Sequence, residues 1–264
     1  ASQVKAITEL GLSSRGFVLC TDDSQAETLC REGHMDRVIR HAIAQGLDPM
    51  TAIQLATINT AEYFGVSREI GMIAPGRHAD IVLVDDLESF SIYSVYSHGK
   101  EIAREGKWMV ELPRIEYPEW ARQSIHLRQP IEKSDFAINA GKDKKVIINV
   151  IEIIENQAPT RHLKLTMNAV NGMVQQDVSQ DLAKIAVVER HHATGRVQTG
   201  MVKGFGFNRP CAVATTVAHD CHQMIVVGTT DEDMVFAANE LAQMGGGQII
   251  VSQGKTLGKI ELPL

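Results

Sequence analysis

The spacing of apolar residues changes near residue 67, and this change constrains the fold more than any other feature of the chain. Before it, a short apolar run at Phe17–Cys20 is followed by segments of helical periodicity. After it, apolar runs of strand length alternate with turns rich in glycine. A strand followed by helices is typical of parallel α/β folds, whereas short strands joined by turns are typical of antiparallel sheets. The sequence therefore predicts an α/β part followed by an α+β part.

The first part, residues 15–66, is predicted to form one strand and then helices. The continuous apolar run at Phe17–Cys20 is typical of a strand that is buried on both faces of a parallel sheet. A helix is predicted from Met35 to Ile43, where apolar residues recur at i, i+3, i+4, i+7 and i+8. Asp48 followed by Pro49 predicts the start of the next helix, because aspartate is a good N-cap and proline suits the first helical position.

The second part begins with a small β module of short strands around glycine turns, ending near Val110. Prolines then interrupt the chain, as they do in linkers. From about residue 135, short strands alternate with turns, and Asp231–Met244 has a helical apolar face closed by Gly245–Gly247. This pattern predicts an α+β domain with a mostly antiparallel sheet. The predicted divisions of the chain are 1–66, 67–112, 113–134 (a linker) and 135–264.

Composition excludes several classes of function. The 264 residues include 26 Lys and Arg against 32 Asp and Glu, a net charge of −6. A nucleic acid or an anionic membrane surface would require a basic face, so we expect neither as a partner. No apolar run reaches the roughly 18 residues of a membrane span, and no signal peptide is recognisable.

The cysteines indicate a reducing compartment. Cys20 and Cys30 form one pair along the sequence, and Cys211 and Cys221 form another at the same spacing. This spacing matches neither a zinc motif nor a dense disulfide framework. We therefore predict reduced thiols in or near the core and a cytoplasmic protein.

Two adjacent carboxylates, Asp22 and Asp23, directly follow the predicted strand. Catalytic groups gather at the C-terminal ends of parallel strands. One carboxylate there could bind a metal while the other accepts a proton or a hydrogen bond from the substrate. Aspartate is also a common helix cap, so the spacing alone leaves both roles open.

Histidines provide a second group of candidate site residues. His219 and Asp220 lie between two apolar runs in the segment AHDCH, and an aspartate can orient an imidazole that binds a metal. His219 and His222 point to opposite faces of an extended segment, so they can act together only in a turn. His34 follows the acidic pair and is either a site residue or a surface histidine at a helix start.

Three other segments are predicted to have no role in binding. The polar stretch 189–195 is predicted to be a solvated loop. The glycines at 204–206 and 245–247 do not follow a strand and open a helix, as phosphate-binding loops do.

Taken together, several motifs resemble the metal-dependent amidohydrolase superfamily. The segment FVLCTDD at 17–23 resembles the eighth strand of its barrel, and segments 55–65 and 70–82 resemble the parts that follow. The strands ending near Val110 resemble its small β-sandwich. More specific motifs resemble the C-terminal domain of the bacterial adenine deaminase family; they lie at 202–206, 218–220, 227–233 and 244–247.

The resemblance implies a fold for each division. Residues 1–66 would be the last βα unit of a (β/α)8 barrel, 67–112 a segment of a composite β-sandwich, and 135–264 the adenine deaminase C-terminal domain. It also implies a homo-oligomeric enzyme that hydrolyses adenine to hypoxanthine and ammonia. The attacking water would be activated by a binuclear centre of manganese or iron.

The resemblance also implies roles for single residues. Asp22 would be a metal ligand that also takes a proton from the attacking water. Asp23 would hydrogen-bond the purine or a group behind it. His34, His219 and Asp220 are weaker candidates for binding substrate or closing the site.

The sequence departs from the superfamily pattern in one large respect. The HxH pair, the bridging glutamate and the histidines of strands five and six have no counterpart, and a complete barrel alone needs about 250 residues. We therefore expect this chain to be the C-terminal part of a longer enzyme, inactive by itself, with Ala1 an internal position. The alternatives are a non-catalytic binding or oligomerisation module, or an amidohydrolase of dihydroorotase-like or deacetylase-like type; the C-terminal motifs argue against the latter.

Overall fold

The computed structural model describes residues 2–155 and 157–262. The chain divides into two compact units, Ala1–Arg114 and Ile115–Leu264. The finer division into four parts stays a prediction. None of the described helices is long and apolar enough to cross a membrane.

The first unit begins with helices and a short 3₁₀ turn at Ser14–Gly16. The helices are α1 (Ser2–Thr8), α2 (Ala26–Arg31), α3 (Met35–Ala44), α4 (Pro49–Ala56) and α5 (Ile58–Tyr63). The predicted start of α4 is confirmed, since Asp48 Oδ2 accepts a hydrogen bond of 2.9 Å from the Thr51 N–H and Pro49 is the first helical residue. The apolar faces of α3 and α4 form a small core together with Leu47 and Phe90; the buried residues on the two helices are Ile39, Ala42, Ala52 and Leu55.

The predicted strand at Phe17–Cys20 is wrong, because the segment forms no ladder. It keeps an apolar role, since Phe17 and Leu19 pack against the core of α3 and α4. Its backbone is held at one point by the Leu19 N–H, which donates to the Leu55 carbonyl at 3.2 Å. A strand requires a neighbour for its backbone hydrogen bonds, and in the described part of the chain no strand lies beside this segment. The first unit is therefore mixed α/β, and its place at the end of a barrel stays a prediction.

The predicted β module forms a four-stranded antiparallel sheet within the described residues. Its strands, in both chain and spatial order, are β1 (Ile81–Asp86), β2 (Ser91–Ser97), β3 (Lys100–Arg104) and β4 (Lys107–Trp108). The turn between β2 and β3 is His98-Gly99, with φ of 49° and 75°. Positive φ at both residues is the geometry that two-residue hairpins favour, because its twist matches that of the strands.

The second unit contains a nine-stranded sheet in the described residues. Its strands are β5 (Lys145–Ile153), β6 (Thr160–Val170), β7 (Met173–Val174), β8 (Leu182–Val188), β9 (Val197–Lys203), β10 (Ala212–Thr215), β11 (Met224–Gly228), β12 (Gly247–Ser252) and β13 (Lys255–Glu261). The spatial order is β13-β12-β10-β11-β8-β9-β5-β6-β7. The pairing of β5 with β9 is parallel, and the other described pairings of this sheet are antiparallel. The prediction of an α+β part with a mostly antiparallel sheet agrees with this arrangement.

Helix α7 (Asp231–Gln243) packs on one face of this sheet and forms its main core. Thr230 caps the helix, because its side chain accepts from the Asp233 N–H. Met234, Ala238 and Leu241 are completely buried against the sheet. The unit also contains α6 (Glu119–Arg122) and 3₁₀ turns at Lys133–Phe136 and Val178–Gln180.

Part of the predicted linker packs onto this second unit. Ile131 is buried in the core beneath α7, and Ile125 and Leu127 pack against it. The Asn239 side chain on α7 accepts from the Ile131 N–H and donates to the Ile131 carbonyl, both at 2.9 Å. These bonds tie the segment to the helix.

The three glycines after α7 have two functions. The Gly245 N–H donates to the Ala242 carbonyl, and the Gly246 N–H donates to the Leu241 carbonyl, which confirms the predicted helix cap. Gly247 instead begins β12. Its φ is +128°, and a Cβ added there would lie 1.9 Å from the Ile260 carbonyl oxygen on β13.

Candidate functional site

Asp22 and Asp23 lie on an exposed loop between the extended segment at Phe17–Cys20 and α2. The backbone of Asp22 is left-handed, with φ of 54°, and its Oδ1 accepts a 2.8 Å hydrogen bond from the Asp23 N–H. Neither aspartate is the N-cap of α2, which is Gln25. The capping role is therefore wrong for this helix. Aspartate adopts the left-handed region more readily than most residues, because its side chain can hydrogen-bond the nearby backbone, so this backbone does not decide the role of Asp22, which stays a prediction.

His34 occupies the N-cap position of α3 and is exposed. Its backbone N–H donates to Asp36 Oδ1 at 2.7 Å, and Arg40 Nη1 donates to Asp36 Oδ2 at 2.8 Å. Partial burial raises the pKa of Asp36, but these hydrogen bonds outweigh it and the pKa falls below its ordinary value. The contacts at this helix start are made by the backbone of His34, and its side-chain role stays a prediction.

His219 and Asp220 lie in a turn, which is the conformation that the sequence requires if His219 and His222 are to act together. The His222 N–H donates to the Ala218 carbonyl at 2.7 Å, and His222 has a φ of 55°. His219 Nε2 is 3.8 Å from Asp220 Oδ1, and both side chains are largely exposed. The structure therefore brings together this one histidine–aspartate pair among the predicted site residues.

Arg190 anchors this turn through hydrogen bonds, a role that was not predicted from the sequence. Only 6% of the residue is exposed, although the polar stretch around it predicted a solvated loop. Its Nε donates to the His222 carbonyl at 3.0 Å, and its Nη1 donates to Ser124. His191 Nε2 also lies 2.6 Å from the His222 carbonyl oxygen, a donor contact when that nitrogen carries the proton. No local motif marks an arginine that bonds distant carbonyls, so the sequence held no signal for it.

Glu189 organises the adjacent loop through its carboxylate. The backbone N–H groups of His191, His192 and Thr194 all donate to it, at 2.6 to 3.0 Å, and so does the Thr194 hydroxyl. The hydrogen bond from the Thr194 backbone is the largest influence, and together these donors lower the pKa of Glu189 to about 2. An ionised carboxylate held by several N–H groups fixes a loop. The predicted solvated loop is therefore a fixed one.

A cavity of about 80 Å³ lies next to this loop, with Arg128, Asp135, Glu189 and Arg196 in its lining. Ligand pockets begin at roughly 300 Å³, so this cavity is too small for a purine. We assign it no role.

The described residues do not fit a complete metal centre. The amidohydrolase resemblance implies a divalent metal, which needs several oxygen or nitrogen ligands converging on one point. Among residues 2–155 and 157–262, no group of three His, Cys, Asp or Glu side chains could hold a metal ion. Asp22 can therefore serve as one ligand only in combination with residues from elsewhere.

The cysteines are free, as predicted for a reduced protein. Cys211 is buried, and desolvation is the main cause that raises the pKa of its thiol. Cys20, Cys30 and Cys221 are exposed. The prediction that all of them lie in or near the core is therefore wrong for these three.

Comparison with known proteins first relates the N-terminal part of this chain to a family of enzymes. Residues 1–102 match the amidohydrolase family. Among solved structures, an amidohydrolase from Thermotoga maritima MSB8 matches 27% of this chain and 19% of that chain, with 27% sequence identity and a TM-score of 0.24. A TM-score this low does not establish a common fold.

Further matches relate the chain to one family of enzymes within this class. Residues 157–264 match the adenine deaminase C-terminal domain. The chain is 49% identical over 265 aligned residues to the adenine deaminase of Mesorhizobium japonicum, 48% identical to adenine deaminase 3 of Rhizobium meliloti, and 46% identical to the adenine deaminase of Moorella thermoacetica. These matches cover 99–100% of this chain but 44% of each relative. The predicted resemblance to the C-terminal portion of the adenine deaminases of the amidohydrolase family is therefore confirmed.

Proposed function

We propose that this chain is the C-terminal part of an enzyme that hydrolyses adenine to hypoxanthine and ammonia. One observation carries the proposal: the whole chain aligns with curated adenine deaminases at 46–49% identity, and residues 157–264 match the domain specific to those enzymes. The predicted cytoplasmic location and the binuclear manganese or iron centre belong to this proposal.

Within this proposal, Asp22 and Asp23 are the carboxylates that the chain adds to the active site. They lie in the part that matches the amidohydrolase family, and both residues are exposed. Asp22 would bind the metal together with ligands supplied from outside the described residues and would accept the proton of the attacking water. Asp23 would accept a hydrogen bond from the purine or from a group behind it.

The turn at 218–222 is proposed as a second contribution, through His219 and Asp220. Its support is the 3.8 Å approach of the two side chains and the anchoring of the turn by Arg190. Because Arg190 anchors the backbone of this turn, the exposed side chains can be held in one orientation. This reduces the entropy lost when a substrate is bound. His34 would add a further polar group at the loop that follows the acidic pair.

A chimaeric enzyme tests the proposal. The aligned C-terminal portion of the Mesorhizobium japonicum relative is replaced by this chain, and ammonia release from adenine is measured with added manganese. The variant Asp22→Asn removes the proposed proton acceptor, and Asp85→Asn, on the exposed face of β1, is the matched control.

We expect an active chimaera that Asp22→Asn slows by about 10² to 10⁴-fold, the range for loss of a general acid–base group. The Asp85→Asn chimaera should keep its activity. A folded chimaera that releases no ammonia from adenine would contradict the proposed activity, and equal activity of the two variants would contradict the role of Asp22.

A further inference from the structure

A groove of about 480 Å³ lies where β8 ends and β9 begins, next to the cavity of about 80 Å³. Pockets for small molecules span roughly 300–1,000 Å³, so this groove, unlike the cavity, has room for a molecule of several rings' width. Its lining combines valines with glutamine, arginine and glutamate side chains. An apolar floor with a few polar groups is the usual composition of a small-molecule site.

The floor of the groove belongs to the face of the sheet that α7 does not cover. Val188 is buried in the core beneath α7, and side chains alternate along a strand, so Val187 points to the opposite face. Val187 is 37% exposed there. In the register of β8 with β9, Gln198 lies directly opposite Val187. The apolar floor and the first polar group are therefore neighbours on one surface.

The polar lining supplies hydrogen-bond donors and acceptors for a planar ring. Gln223 Oε1 accepts from the Arg190 N–H at 3.0 Å, which orients the amide so that its NH₂ group donates in another direction. Gln198 is exposed, and its amide both donates and accepts. Arg196 adds a planar guanidinium that donates from its edge and stacks on aromatic rings. Glutamine amides recognise adenine through one donor and one acceptor, so this set suits the edge of a purine.

The charges of the lining distinguish a neutral ligand from an anionic one. The guanidinium of Arg196 is accompanied by the carboxylate of Glu189. Backbone N–H groups bind this carboxylate, and hydrogen bonding to the charged form keeps it ionised at neutral pH. A phosphate group in the groove would meet this negative charge, and like charges brought together weaken binding. The lining therefore favours a neutral base over a nucleotide.

We propose that this groove binds a neutral purine base, with the ring against Val187 and Arg196 and the ring edge at the amides of Gln198 and Gln223. The choice of a purine over other planar rings rests on the proposed function. The loop at 189–195, for which the sequence predicted no role in binding, forms one wall of the groove through Glu189 and Gly195.

Titration of the full 264-residue chain with adenine, hypoxanthine and adenosine monophosphate tests the proposal, with NMR shifts of the backbone amides as the readout. We expect saturable shifts at Val187, Gly195 and Gln198 in the millimolar range of adenine or hypoxanthine, because a ligand of this size gains little contact area. Adenosine monophosphate should bind more weakly than adenine because of Glu189.

Three variants locate the binding. Gln198→Ala removes one hydrogen-bonding group and should weaken adenine binding about fivefold. Val187→Phe fills the floor of the groove and should abolish binding. Gln248→Ala, at an exposed glutamine of β12 outside the groove, is the matched control and should bind like the unchanged chain. All three side chains are exposed, so the variants should keep the thermal stability of the unchanged chain.

The absence of adenine-dependent shifts, shifts confined to residues outside the groove, or equal effects of Gln198→Ala and Gln248→Ala would overturn the proposal. Tighter binding of adenosine monophosphate than of adenine would refute the preference for a neutral base. Binding is measured on this chain and ammonia release on the chimaera, so the two proposals fail separately. Adenine binding beside an inactive chimaera would uphold the groove and refute the activity, and an active chimaera whose C-terminal chain binds no purine would do the reverse.

Discussion

Lys184 Nζ lies 2.8 Å from both carboxylate oxygens of Asp231, and this ion pair joins β8 to the first turn of α7. The lysine side chain is 2% exposed and the aspartate side chain 28%. Gln176 Nε2 donates to the same carboxylate at 2.7 Å. The lysine charge is therefore enclosed and depends on Asp231, whereas the carboxylate can still reach water.

This asymmetry predicts unequal effects of breaking the pair. Asp231→Ala leaves a buried ammonium without its partner and should lower the free energy of unfolding by about 3 kcal/mol. Lys184→Met leaves the more accessible carboxylate and should lower it less. Urea unfolding followed by circular dichroism measures both changes. The exposed Lys133–Glu232 pair is the control, and Glu232→Ala should lower stability by less than about 1 kcal/mol. An equal effect at the two pairs would contradict the prediction.

The close approach of β12 and β13 predicts that Gly247 cannot be replaced. Gly247→Ala places a Cβ 1.9 Å from the Ile260 carbonyl and forces alanine into a left-handed backbone. The backbone strain alone costs about 1–2 kcal/mol, and the collision should separate β13 from β12. Faster amide hydrogen exchange in β13 would report this. Gly258→Ala, which meets no atom within 4 Å, is the control and should exchange like the unchanged chain.

Because Glu189 holds its loop through an ionised carboxylate, we predict that the loop changes structure when this group is protonated in acid. Its pKa in the folded chain is about 2, below the ordinary 4.5, because the N–H groups of Thr194, His192 and His191 bind its ionised form. A lowered pKa means that the stabilisation is fully present above about pH 4.5 and is lost as the pH falls toward 2. The amide resonances of His191, His192 and Thr194 should shift together with a midpoint near pH 2. In Glu189→Gln this transition should be absent, and a midpoint near 4.5 in the unchanged chain would refute the assignment.

Because the described carboxylates and histidines do not converge on one point, we predict that the chain alone does not bind a metal ion tightly. Purified without added chelator, it should contain far less than one equivalent of manganese, iron or zinc by elemental analysis, and it should release no ammonia from adenine. Asp22→Asn should leave the metal content unchanged, because one carboxylate binds a divalent ion weakly. One equivalent of metal that Asp22→Asn removes would show that a complete site exists within the chain.

The elements that sequence predicts well are those whose local pattern matches their burial. Helix α7 is an example, since Met234, Ala238 and Leu241 recur at helical spacing and all three are fully buried. Strands β9 and β13 could not be recognised in this way. Gly200 interrupts the first, and β13 has only two large apolar residues, so both strands form because a neighbour pairs with them. The reverse applies at Phe17–Cys20, where a strand pattern finds no neighbour in the described chain.

In the candidate site, too, features that are local in the sequence could be predicted, whereas contacts between distant residues could not. Asp22 and His219 stand out because aspartate and histidine beside apolar runs suit catalysis, and these features are local. The anchoring of the turn by Arg190 depends on the His222 carbonyl, 32 positions away along the chain, and on Ser124. Such contacts follow from the order of the strands, which spacing along the sequence does not encode.

The single parallel pairing divides the described sheet of the second unit into two blocks. β5 and β9 share a register from Val150↔Met201 to Glu152↔Lys203, much shorter than the register of β5 with β6. Across this junction, Val150 and Met167 of one block pack against Leu182 and Met201 of the other. Apolar contacts weaken on cooling. The β5–β9 junction has fewer paired residues than the β5–β6 ladder, so low temperature should weaken this junction before it weakens that ladder.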